Sequence, residues 1–96
     1  MKIHEIKVKI KSTEPFLKEK FRVKKIGIFG SYARGEQRKK SDIDMLVEFY
    51  EEPSLFEFIR LERFLKSILK VKVDLVMKDS LKPYIGKHIL DEVIYL

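Results

Sequence analysis

The stretch GIFGSYARGEQRKKSDIDMLVEF, residues 27–49, decides how this chain is read. An apolar run halts at Gly30-Ser31, gives way to ten mostly polar residues, and restarts at Asp42-Ile43-Asp44. VKKIGIFG (23–30) is β-rich and ends in glycine, and DIDMLVEFY (42–50) alternates, so both read as strands. SYARGEQRKK between them reads as a turn holding at most one helical turn, closed by Gly35. Two carboxylates at the mouth of a strand disfavour folding unless a metal ion, a turn or open solvent relieves them.

Residues two apart in a strand share a face and lie roughly 6.5–7 Å apart along it. Asp42 and Asp44 therefore point one way, while Ile43, Met45, Val47 and Phe49 point to the core. Like charges so placed repel unless a cation lies between them, and Mg²⁺ takes one or two carboxylates plus water and phosphate oxygens. A third carboxylate, Asp74, lies in VKVDLVM (71–77), a third strand, facing away from Val71, Val73, Leu75 and Met77. If the second and third strands are neighbours, the three carboxylates converge as in-line displacement on a nucleoside triphosphate requires.

Glycine at position 30 lets backbone approach a ligand closely, and Ser31 and the following amides can donate to phosphate oxygens. Arg34 adds a guanidinium suited to phosphate. Each piece also has an ordinary reading: Ser41-Asp42 as a turn or cap, Asp74 paired with Lys72, and Arg34 solvated. Glu48 shares the aspartate face but lies about 13 Å along the strand from Asp44, too far to be a ligand. His4 and His88 have no ligand-spaced companions, and Tyr32, Tyr50, Tyr84 and Tyr95 have no special spacing.

Elsewhere the organisation is simple. Residues 3–10 fit a strand by alternation or a helical face through Ile3, Ile6 and Ile10. Ser12 or Thr13, with Glu14 and Pro15, reads as the start of a helix stopping near Arg22. Ser54 caps a helix to about Leu69 whose apolar arc exceeds what one sheet face needs, and a last helix is expected from Leu81 to Tyr95. The order helix, strand, strand, helix, strand, helix predicts one α/β domain over 1–96, with helices on a short sheet.

Hydrophobic residues at 45% and charged residues at 38% are globular proportions, and the lack of cysteine excludes disulfides and thiolate chemistry. The net charge of +6 favours anionic partners, but the densest basic run, Arg38-Lys39-Lys40, is too short for a nucleic-acid track. MKIHEIKVKIKS is not a signal peptide and no run is long enough to span a membrane, so a soluble, cytoplasmic protein is expected.

GSYARGEQRKKSDIDMLVEF resembles the signature of the DNA polymerase β-like nucleotidyltransferases, and is closest to their minimal nucleotidyltransferase (MNT) branch. VKVDLV and LKPYIGKHILDEVIYL extend the likeness over most of the chain. The resemblance implies a polymerase β-like palm in which Gly30 and Ser31 hold the triphosphate of ATP. It also implies that Asp42 and Asp44 bind two Mg²⁺ ions and that Asp74 assists and accepts the nucleophile's proton. Arg34 as a nucleotide ligand rests partly on its charge. Members of the branch are antitoxins that transfer AMP to a tyrosine of a HEPN-domain toxin encoded nearby. The alternatives are an antitoxin acting by binding alone, or transfer to a nucleic-acid end or small-molecule hydroxyl.

Overall fold

The computed structural model describes all residues, Met1–Leu96. In chain order the elements are α1 (Ile3–Phe21), β1 (Val23–Phe29), α2 (Ser31–Arg34), β2 (Ile43–Phe49), α3 (Leu55–Leu69), β3 (Val73–Met77), α4 (Pro83–Glu92) and β4 (Ile94–Tyr95). A short 3-10 turn, Lys78–Ser80, follows β3. The sheet runs β3-β2-β1-β4, with β2 and β3 parallel and the other neighbours antiparallel. This is the mixed α/β sandwich expected from the sequence.

The alternation in β2 sets the core. Ile43, Met45 and Val47 are fully buried in one cluster with Ile26 and Ile28 of β1, Val73 and Leu75 of β3, and residues of α1 and α3. Leu61, Leu65 and Leu69 supply the α3 side and Ile6, Ile10 and Leu17 the α1 side. Phe16 and Phe21 meet Phe64 with ring centroids 4.9 and 5.9 Å apart, joining the two helices. Ser54 starts α3 by accepting the Glu57 amide at 3.2 Å while its own amide donates to the Glu57 carboxylate at 3.1 Å. That reciprocal cap satisfies two amides of the first turn. Leu55 and Phe56 remain more than two-thirds exposed, so the broad apolar arc of α3 is only partly used by this domain's core.

Two expectations are corrected. Helix α1 does not begin near Ser12 but runs unbroken through Pro15 from Ile3. The apolar face through Ile6, Ile10 and Leu17 overrides the local stop signal, because Pro15 lies on the exposed side. The Ser12 and Thr13 hydroxyls bond back to the Lys9 carbonyl at 2.8 and 3.2 Å. The last helix stops at Glu92 rather than Tyr95. Val93 turns extended, and Ile94 and Tyr95 pair with Ile28 and Gly27 on the free edge of β1. A Cβ on Gly27 would meet Val93 Cγ2 at 2.7 Å, so glycine permits that close packing. Leu46, on the β2 face away from the core cluster, is fully buried and lies opposite Gly27 in the sheet.

Proline within a helix costs about 3 kcal/mol, of which up to about 1 is returned by its stiffening of the unfolded chain. Pro15→Ala should therefore raise stability by about 2 kcal/mol in urea unfolding, whereas a helix break at this point would leave it unchanged. Leu61→Ala should lower stability by about 2–5 kcal/mol in the same assay.

Candidate active site

The parallel register of β2 and β3 sets Asp44 beside Asp74, and the antiparallel register of β1 and β2 sets Asp44 opposite Phe29, one residue before Gly30. Asp42 precedes β2 by one residue, where the Ile43 amide donates to the Lys72 carbonyl at 2.9 Å. The side chains of Asp42, Asp44 and Asp74 thus gather at one end of the sheet, next to the turn at Gly30-Ser31. Asp44 is half-buried, whereas Asp42 and Asp74 are exposed.

Electrostatics mark Asp44 as the centre of the group. Its carboxyl is pushed above the usual carboxylate range, first by burial and then by the charges of Asp74 and Asp42, with Arg34 opposing. The ordinary pairing of Asp74 with Lys72 does not form; Lys72 approaches Asp42, at 4.0 Å. Ser41 closes the preceding turn by accepting the Arg38 amide at 2.8 Å. Glu48 stands apart, paired with Lys78 at 3.4 Å.

Gly30 has φ 74° and ψ −151°, a backbone region that is essentially glycine-only. A Cβ there would also enter the van der Waals envelope of the Asp44 carboxylate. Glycine therefore lets the turn press directly on the central aspartate. Arg34 lies one helical turn on, its amide donating to the Gly30 carbonyl at 3.1 Å. Its guanidinium donates to Glu36 at 2.6 Å and to Glu92 at 3.0 Å, and these carboxylates hold its pKa above the ordinary arginine value.

Glu92 has no signal in the sequence as a site residue. Its carboxylate accepts the Gly30 amide at 2.6 Å across 62 positions of chain. Only the end of α4 brings it there, together with the pairing of β4 on β1 that follows it.

The donor set fits a hard dication: all oxygen, with neighbouring carboxylates in mutual repulsion. No three His, Cys, Asp or Glu side chains, these aspartates included, are so placed as to hold an ion by themselves. An ion that draws the rest of its shell from water and phosphate needs no such trio.

Carboxylates at a strand end beside a glycine turn can receive a cation and phosphate oxygens together, and comparison with known proteins identifies the family. The nucleotidyltransferase domain family matches residues 10–96. Protein adenylyltransferase MntA of Thermococcus cleftensis is 55% identical over 80 residues, spanning 83% of this chain and 81% of that protein. A solved structure assigned by inference as a minimal nucleotidyltransferase superposes with TM-score 0.85 at 32% identity, covering 100% of this chain and 97% of that one. A toxin–antitoxin structure with AMP-PNP superposes with TM-score 0.72 at 26% identity, covering 88% and 69%. The chain belongs to the nucleotidyltransferase domain family, in its minimal branch, and is a nucleotidyltransferase.

Two variants test the local physics. Gly30→Ala should destabilise the protein by on the order of 1–3 kcal/mol through backbone strain alone, measured by urea unfolding. Asp44→Asn should act the other way. A carboxyl whose folded pKa is raised opposes folding once ionised; that penalty is complete above its folded pKa and disappears as pH falls below its unfolded value. Removing the charge should raise Tm at neutral pH in metal-free buffer. A fall in Tm would show that the carboxylate is already compensated.

Proposed function

We propose that this protein is an antitoxin that transfers AMP from ATP to a tyrosine hydroxyl of a partner HEPN-domain toxin. The observation that carries this reading is the gathering of Asp42, Asp44 and Asp74 at the sheet end beside the Gly30-Ser31 turn. The similarity to Protein adenylyltransferase MntA supports the transferred group, and the AMP-PNP-bound toxin–antitoxin structure supports the nucleotide and the kind of partner.

In this reading the turn at Gly30-Ser31 and the guanidinium of Arg34 bind the triphosphate, holding the α-phosphorus over the aspartates. Asp42, Asp44 and Asp74 would hold Mg²⁺, which when bound neutralises phosphate charge and lowers the pKa of a coordinated hydroxyl. The tyrosine oxygen forms a bond to the α-phosphorus as the bond from that phosphorus to its bridging oxygen breaks, releasing pyrophosphate. Asp74, exposed beside Asp44 on β3, accepts the tyrosine proton. Leu55 and Phe56, left in solvent on α3, offer apolar surface to a partner.

The test is incubation with Mg²⁺, labelled ATP and the product of the adjacent gene, beside an Asp42→Asn/Asp44→Asn control. AMP mass on a partner tyrosine only with intact aspartates is expected. Tight association without label would instead make the protein an antitoxin that acts by binding alone. Mg²⁺ with ATP at about 100 times Kd should also stabilise the intact chain by about 2.7 kcal/mol, and the double variant should lose that gain.

A further inference from the structure

Two of the donors assigned to phosphate, the Gly30 amide and Arg34, are not free in this protein. Glu92 Oε2 accepts the Gly30 amide at 2.6 Å, and both oxygens of the same carboxylate lie within reach of Arg34 Nη1, at 3.0 and 3.3 Å. One anionic group thus joins the backbone donor and the cationic donor of the turn, as a phosphate would. The Glu92 side chain is 28% exposed, so the contact is partly shielded from water. Its charge also adds to the repulsion felt by Asp44, so the fold places a carboxylate where carboxylates are already crowded.

We propose that Glu92 is a displaceable internal stand-in for a phosphate group, holding the Gly30 amide and Arg34 in place until a polyphosphate evicts it. The proposal rests on the reading of Gly30, Ser31 and Arg34 as the phosphate site. A ligand must replace both contacts to displace the carboxylate without loss. A single phosphate group can meet both donors as the carboxylate does, and a polyphosphate brings more charge to the same place. Glu92 therefore weakens anion binding at the turn in general.

Calorimetry on the full chain and on Glu92→Gln tests this, with inorganic tripolyphosphate in EDTA and, separately, with ATP and Mg²⁺. The tripolyphosphate arm isolates the turn from the metal-binding aspartates. Loss of a charge-assisted contact predicts roughly three- to tenfold tighter binding by the variant. Asp91→Asn, which removes the same charge from the exposed neighbour, should show much less tightening. Unchanged or weaker binding by Glu92→Gln, or equal tightening by Asp91→Asn, overturns the proposal. Tighter tripolyphosphate binding with no ATP binding sustains it and sinks the nucleotide reading; no binding of either ligand to either protein sinks both. If Glu92→Gln fails to fold, as judged by circular dichroism, the intact chain still decides. Saturation with tripolyphosphate should shift the Glu92 carboxyl carbon resonance together with the Gly30 amide, and a stationary Glu92 signal overturns the proposal.

Discussion

The parallel pairing of β2 with β3 is the constraint on which the rest of the structure depends. Strand β2 lies between β1 and β3, and its register on both sides is fixed by the side chains it buries. A slip of one residue would carry Ile43, Met45 and Val47 from the core to the carboxylate face. Each fully buried aliphatic side chain contributes roughly 1.5–3 kcal/mol, so three of them outweigh the repulsion among partly solvated aspartates. The core thus holds like charges together that would separate if free to do so. Asp44 carries the cost as a pKa raised first by burial and then by the charges of Asp74 and Asp42.

Two glycines of neighbouring position do different work at the same end of β1. Gly30 admits the Asp44 carboxylate against the backbone of the turn, and its conformation excludes any other residue without strain. Gly27 admits the segment Val93–Tyr95 across the strand, which fixes the end of α4 and with it Glu92. Charge and shape are therefore coupled. The guanidinium of Arg34 is oriented from two sides by Glu36 and Glu92, while the amide of Gly30 is aimed by the same Glu92.

The three longer strands and α3 were legible because each carries its own local signal. Alternation marks β2 and β3, and Ser54 with Glu57 announces the start of α3. The placement of the three aspartates followed from the same alternation once two strands were taken as neighbours. Pro15 misled because a local breaker was read without the face it sits on; burial of Ile6, Ile10 and Leu17 as one stripe outweighs one lost hydrogen bond. Strand β4 was invisible because two residues become a strand only where another strand offers an open edge. Glu92 was invisible for a related reason: nothing in DEVIYL indicates an amide 62 residues upstream.

The two halves of the site hang on different parts of the fold. The fifteen residues of the core cluster all lie at or before Leu75, whereas the partner of the Gly30 turn comes from Glu92 and the strap that follows it. Segments that open locally are those with the least buried contact, and β4 is two exposed residues on the edge of β1. Lifting that strap would uncover Gly30 and Arg34 while the core cluster kept the three aspartates together.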